Sequence, residues 1–287
     1  MNIPNLYKDQ SILKFKECYA LEKIHGTSAH ITYKHVESKM IFFSGGAKYD
    51  NFIALFDENK LLNLCKEKFN CDVTIYGEAY GGKMQGMKET YGNTLKFVVF
   101  DVKIGNTWLA VHNAEDVTKN LDLEFVAYAQ ISTELSEIDM HRDLDSSQAF
   151  RNGIKKRKMR EGVVLRPLEE YSDNKGNRII CKHKRDEFKE TKTSREVNPE
   201  TLKILEDAQK IAEEWVTPQR LNHVLDKIGE VEIENTGNVI KSMTDDIYRE
   251  GKNEIIESID TRKAIGKATA KLFKQHLQTK FKDKHND

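Results

Sequence analysis

The composition of this chain shifts near Thr191-Lys192-Thr193-Ser194-Arg195, and beyond that point only helical patterns remain. That change limits the fold more than any other feature. Before it, short apolar runs alternate or cluster and then meet glycine or a turn, as half-buried strands do. Residues 29–34 and 39–43 flank the turn-like Lys34-His35-Val36-Glu37-Ser38 and predict a hairpin. Val73-Thr74-Ile75-Tyr76 runs into Gly77-Glu78, and further strands are predicted over Leu95 to Val102, Gly162 to Arg166 and Arg178 to Lys184. Phe52, Leu55, Phe56, Leu62, Cys65 and Phe69 recur at helical spacing within 51–69, and weaker helical segments cover 113–121 and 133–151. Beyond residue 195 the pattern is helical. Asn198-Pro199 and Thr217-Pro218 each place proline at a first helical position, where its missing N–H costs nothing. Thr244 or Asp245 starts a short third helix, Asp260 caps a last basic one reaching about Phe281, and 282–287 is expected to fray. The pattern predicts an α+β domain over 1–192 and a small all-helical domain over 193–287.

No run of about 18 apolar residues is present, which argues against a membrane-spanning helix. No basic stretch leading into an apolar one marks the N-terminus as a secretory signal. Cys18, Cys65, Cys71 and Cys181 form no C-x-x-C pair and read as reduced thiols of an intracellular, cytoplasmic protein. The formal net charge is zero, so any polyanion would meet local clusters. One is Lys155, Lys156, Arg157, Lys158 and Arg160. Another runs from Arg262 through Lys263, Lys267, Lys271, Lys274, Lys280 and Lys282 to Lys284. Such clusters either neutralise phosphates or are solvated faces.

Four short features stand in order: Glu22-Lys23-Ile24-His25-Gly26-Thr27-Ser28, then Gly77-Glu78, Glu161-Gly162-Val163-Val164 and Lys182-x-Lys184. Singly, each reads as a turn, a strand start or solvated lysines. Together they suit one chemistry. Lys23 sits at a strand edge before a glycine that lets a ligand approach the backbone. An unprotonated amine there can attack phosphorus, and neighbouring cations lower a lysine pKa from its reference of about 10.4. Lys182 and Lys184, on one face of a strand, can stabilise charge on phosphate oxygens and a pyrophosphate leaving group. Glu78 and Glu161 offer hard oxygen ligands to a divalent metal, with waters between.

With these motifs the sequence resembles the covalent nucleotidyltransferases, and among them the ATP-dependent RNA ligases of the phage RNA ligase 2 type. E-K-I-H-G-T-S resembles the family's first motif, G-E-A-Y-G-G its third and F-V-V-F-D-V the segment after it. E-G-V-V-L-R-P resembles the fourth and K-H-K-R-D-E-F-K-E the fifth. His25 and the Phe188/Glu190 ending favour RNA ligases over DNA ligases and capping enzymes. The resemblance implies a nucleotidyltransferase domain of ATP-grasp-like antiparallel sheets with helices, followed by an RNA-binding helical domain. It implies that Lys23 forms a covalent AMP adduct, with Glu22, Ile24 and Gly26 lining the nucleotide. It also implies that Glu78 contacts the ribose, Phe100 the adenine face, Lys182 and Lys184 the α-phosphate, and that Asp101 supports the pocket. Glu161, with Glu78, positions metal or nucleotide, and His25 assists a later step or orients phosphate. ATP and Mg2+ (or Mn2+) are the implied cofactors.

The implied partner is RNA with 5′-phosphate and 3′-hydroxyl ends. A monomer without membrane attachment is expected, in RNA repair, and a phage origin fits. The alternatives are a DNA ligase or another covalent nucleotidyltransferase, or a non-catalytic RNA-binding protein on the same fold. The sequence departs from the family where an arginine should follow the second strand. Here Ile41-Phe42-Phe43-Ser44-Gly45-Gly46 carries none, and Lys48 or Arg166 is a candidate replacement.

Overall fold

The computed structural model describes residues 3–193, 197, 207–229 and 231–283. The helix start expected at Asn198-Pro199 and the chain end from 284 lie outside them. Contacts divide the chain into Met1–Arg185 and Asp186–Asp287, a division just ahead of the sequence-based boundary at 192.

The described residues of the first unit hold nine strands: β1 (Glu17–Lys23), β2 (Thr27–Lys34), β3 (Lys39–Ser44), β4 (Val73–Tyr80), β5 (Lys96–Ile104), β6 (Thr107–Trp108), β7 (Tyr128–Ser132), β8 (Gly162–Arg166) and β9 (Cys181–Lys184). They form a four-stranded sheet, β7-β1-β8-β9, and a five-stranded sheet, β3-β2-β4-β5-β6. Neighbouring strands pair antiparallel throughout, as the family resemblance implies. On the five-stranded sheet, Ala29, Ile31, Val73, Ile75, Ala79, Val99 and Val102 are buried in the main core, which Leu21 and Ile24 join.

Helices α1 (Tyr49–Ile53) and α2 (Glu58–Lys68) replace the single helix expected over 51–69. Asp57 breaks it, because its carboxylate accepts from the Lys60 amide and starts a new helix. Further along lie α3 (Lys88–Tyr91), α4 (Val111–Asn120), α5 (Leu135–Arg142) and α6 (Ser147–Arg151). The helix expected over 133–151 is likewise divided, since Ser146 caps α6 by accepting from the Ala149 amide. The strand expected from Arg178 begins only at Cys181. Arg178 instead belongs to a small hairpin with a bridge to Ser172.

The second unit is helical: α7 (Ala208–Trp215), α8 (Pro218–Ile228), α9 (Thr236–Glu250) and α10 (Ile259–Asp283). Thr217 caps α8 by accepting from Arg220, with Pro218 at its first position, as predicted. The helix expected from Thr244 or Asp245 starts earlier, because a 3-10 turn at Ile233–Asn235, closed by a Glu232–Asn235 capping box, leads directly into α9. Ile211, Trp215, Leu221, Val224, Val239, Met243, Ile247, Ile265 and Phe273 form its core. Inside, Arg220 pairs with Asp246 at 2.5 Å and Glu190 at 3.3 Å. Along α10, Thr261, Ile265, Thr269 and Phe273 are buried at four-residue spacing, while Arg262, Lys263, Lys267, Lys271, Lys274 and Lys280 stay exposed. Among the described residues, no helix is long and apolar enough to cross a membrane.

Candidate active site

The site is assembled where the chain passes from one sheet to the other. Lys23 is the last residue of β1 and Thr27 the first of β2. Gly26 makes the crossing possible: a Cβ there would lie 2.4 Å from the Ala79 carbonyl oxygen and 3.0 Å from Glu78 Cγ. Backbone thus runs directly over β4, and the Gly26 amide donates to the Glu78 carboxyl.

Register explains why Lys23 and Lys184 meet. Lys23 lies opposite Gly162, and Gly162 opposite Lys184. Alternation puts Lys182 on the same face as Lys184. Gly162 admits this close packing, since its Cβ would sit 2.1 Å from the His183 carbonyl oxygen. Lys182 also anchors the N-terminal segment, its amide donating to the Pro4 carbonyl at 2.8 Å and its carbonyl accepting from Leu6 at 2.8 Å.

Glu161 is the hub. Its Oε2 accepts from Lys23 Nζ at 2.9 Å and lies 3.1 Å from His25 Nδ1, while Oε1 lies 3.0 Å from Lys184 Nζ. Burial alone would push this carboxyl's pKa up. Lys23, Lys184 and His25 together overcome that and hold it well below the usual carboxylate range. Glu78 behaves oppositely: burial, reinforced by the nearby Glu161 charge, pushes it up to about 7 against the pull of Lys23 and Lys184. One site therefore holds a firmly ionised carboxylate beside one poised near neutrality. Among the described residues no group of three His, Cys, Asp or Glu side chains converges as a metal cage.

The other expected residues fall as follows. Ile24 is buried in the core. Phe100 stands at a bulge: Tyr76 faces Asp101 and Gly77 faces Val99, leaving Phe100 without a partner on β4. Bulges re-aim side chains next to sites of this kind. The buried Asp101 binds Arg166 at 3.1 Å and Arg178 at 2.6 Å. Both arginines also hold Glu170, so β8 of one sheet is tied to β5 of the other. Arg166 is 1% exposed and fully engaged, which removes it as a stand-in for the absent arginine; Lys48 is exposed just before α1. The Glu22 side chain points to the face opposite Lys23. There it accepts from Ser146 Oγ at 2.6 Å and from the Gln148 amide at 3.1 Å, so only its backbone faces the Lys23 side.

Several supporting residues escape a reading from sequence. The Tyr91 hydroxyl accepts from the His25 amide at 3.2 Å, and the Tyr91 carbonyl accepts from Asn152 Nδ2 at 3.0 Å. Gln148 Nε2 donates to the Tyr80 hydroxyl at 2.9 Å. Arg160, buried, donates to the Asp145 carbonyl at 2.9 Å. Ser146 had a readable signal, a serine three residues ahead of an amide it caps. Tyr91 had none, because its partner is 66 residues away in sequence.

Known proteins resemble this chain in sequence pattern and in fold. The sequence pattern of the family described as RNA ligase matches residues 16–184, which contain every catalytic residue expected from the motifs. No curated protein matches the sequence. Among solved structures, Naegleria gruberi RNA ligase is similar in several forms. A variant with ATP and Mn superposes with a TM-score of 0.50 at 15% identity, over 66% of this chain and 56% of that one. A second variant, with AMP and Mn, gives 0.51 at 15% over the same shares. The form with PPi gives 0.50 at 15%, again over those shares. This chain thus spans just over half the length of those ligases, and at such identity the likeness is one of fold.

Proposed function

The chain belongs to the RNA ligase family, and from that premise we propose that it is an ATP-dependent RNA ligase joining 3′-hydroxyl to 5′-phosphate RNA ends through a covalent Lys23–AMP adduct and an RNA-adenylate. The observation that carries this reading is the convergence of Lys23, His25 and Lys184 on the buried Glu161 carboxylate, each within 3.1 Å.

In the first step Lys23 Nζ attacks the α-phosphorus of ATP; an N–P bond forms and the bond to pyrophosphate breaks. In the second, an oxygen of the RNA 5′-phosphate takes the AMP and frees the lysine. In the third, the RNA 3′-hydroxyl displaces AMP. Each is an in-line displacement in which position and charge do most of the catalysis. Glu161 aims the Lys23 amine and the Lys184 ammonium at one point. Lys184 and Lys182 meet the α-phosphate oxygens, whose charge grows during displacement. Phe100, half-buried against the main core beside the bulge, offers a ring edge or face to the adenine, and Glu78 a hydrogen-bonding carboxyl to the ribose.

A divalent ion fits this donor set as a companion of the triphosphate. Two carboxyls, one of them pushed up to about 7 partly by the other, suit Mg2+ or Mn2+ that keeps most of its shell as water and phosphate oxygen. Glu78 and Glu161 would hold it, and when bound it supplies charge neutralisation at the phosphates. The basic row of 155–158, exposed at Lys155, Lys156 and Arg157 and half-buried at Lys158, and the exposed basic row of α10 are the surfaces we assign to RNA phosphates. Four free cysteines suit a reducing, cytoplasmic setting, and we take the protein to act as a monomer.

The test is direct. Labelled ATP, GTP and NAD are each incubated with the protein and magnesium. Label from ATP alone, lost in Lys23→Ala, is expected. Label that persists in Lys23→Ala moves the nucleophile elsewhere and defeats the assignment.

A further inference from the structure

The surface held by Glu22 on the face opposite Lys23 contains a feature the reaction at Lys23 does not use. Helix α6 is held at its start by Glu22, the residue before the nucleophile, through Ser146 and Gln148. It ends in a turn where the Gly153 amide donates to Phe150 at 2.9 Å and the Ile154 amide to Ala149 at 3.1 Å. Gly153 takes a φ of 83°, the left-handed conformation such a helix end requires. The chain then runs through Lys155-Lys156-Arg157-Lys158 and returns to the other end of α6. There Met159 bridges Asp145, and the Ser146 amide donates to the Lys158 carbonyl at 2.6 Å. Helix and basic loop are therefore one small closed surface, anchored through the Glu22 carboxylate on the face opposite Lys23.

On that surface Phe150 is 79% exposed. A phenylalanine left this open forgoes burial that most rings achieve, and it has no core to serve. Residues 146–160 contain no acidic side chain. Arg157 pairs with Asp145 at 2.5 Å, Arg151 pairs with Glu124 at 3.5 Å, and Arg160 is buried. Lys155, Lys156 and Lys158 form no ion pair among the described residues. Three uncompensated cations beside an exposed ring match a ligand that carries both phosphates and flat bases. Single-stranded nucleic acid is such a ligand, because stacking tolerates any base while cations track the backbone. An acidic peptide would satisfy the lysines and leave the ring unexplained.

We propose that Phe150, with Lys155, Lys156 and Lys158 in the adjoining loop, stacks an unpaired base of the RNA substrate while the lysines meet its phosphates. This rests on the RNA ligase reading, and the experiment separates the two. Binding of a 5′-phosphorylated single-stranded RNA oligonucleotide is measured over a series of salt concentrations for the parent protein, Phe150→Ala and Phe150→Trp, alongside Lys23 labelling by ATP.

A lost base–aromatic stack weakens binding roughly five- to a hundredfold. Phe150→Ala should fall in that range by the same factor at every salt concentration, since no phosphate contact is removed and the salt slope reports phosphates. Phe150→Trp should bind like the parent, and all three proteins should label equally. Parental RNA affinity in Phe150→Ala overturns the proposal and leaves this surface to a protein partner. A parent that labels with ATP yet binds no single-stranded RNA overturns it while the nucleotidyl-transfer chemistry stands. A parent that does neither takes both readings down.

Discussion

Glu161→Gln removes one charge and leaves shape nearly unchanged, so it isolates what the hub does. In the parent, the carboxylate faces Lys23 Nζ at 2.9 Å and Lys184 Nζ at 3.0 Å. A unit pair at about 3 Å in an effective dielectric near 20 attracts by roughly 5 kcal/mol before desolvation is charged against it. Both lysine side chains are mostly buried, at 21% and 15% exposure, so screening by solvent is partial. Removing one member of a buried ion group typically costs about 3–5 kcal/mol, because the remaining charges lose their counterion. The variant should therefore lose about 3 kcal/mol of stability in urea at neutral pH. It should also label with ATP at least about a hundredfold more slowly, the scale of one lost preorganised group.

The pH dependence carries a sign. Glu161 has a folded pKa well below its ordinary 4.5, so its contribution is complete above 4.5 and disappears as pH falls through the folded value. The stability gap between parent and Glu161→Gln should stay constant above that point and close only in stronger acid. A gap that is absent at neutral pH, or that widens toward acid, would refute the hub as the source of this stability.

Three further outcomes follow from the same geometry. Tyr91→Phe leaves the buried His25 amide without its acceptor and should cost about 1–3 kcal/mol, read from the urea midpoint; an unchanged midpoint would mean that another acceptor serves that amide. Glu78 has a folded pKa raised to about 7 from 4.5, so the parent should lose stability as pH rises between those values, by up to about 3 kcal/mol. Glu78→Gln should flatten that slope, and an unaltered slope would assign it to other groups. A chain ending at Lys192 retains the whole first unit, Met1–Arg185, and should keep ATP labelling while losing most strand joining along with the exposed basic row of α10. Sealing at the full-length rate would give the helical unit another task.

Local chemistry made much of this legible. Lys23 could be placed at a strand end because alternation and a glycine mark such ends, and the sheet ladder puts it there. Thr217-Pro218 announced α8 because a cap and a proline act within one turn. The α2 and α6 starts were as local, at Asp57 and Ser146, yet the apolar spacing ran across both and disguised the breaks. Strand β7 carries only Ile131 fully buried among its five residues, too little alternation to register. The bulge at Phe100 depends on pairing between β4 and β5, and the Tyr91–His25 bond on two distant segments. Neither leaves a pattern within a single window of sequence. The resemblance implies that Glu22 lines the nucleotide, whereas its side chain meets Ser146 and Gln148. Strand alternation, applied strictly, sends neighbours to opposite faces, and the structure follows it.

The tie of Asp101 to Arg166 and Arg178 bears on how activity should be counted. Lys23 sits at the end of one sheet and Glu78 within the other, so a molecule whose sheets have parted has no site at all rather than a slow one. The amount of adduct formed in a single turnover is then a census of chains with both sheets docked. Damage to the tie should lower the amplitude of that burst and leave its rate constant alone, whereas damage at Glu161 should slow the rate and leave the amplitude intact.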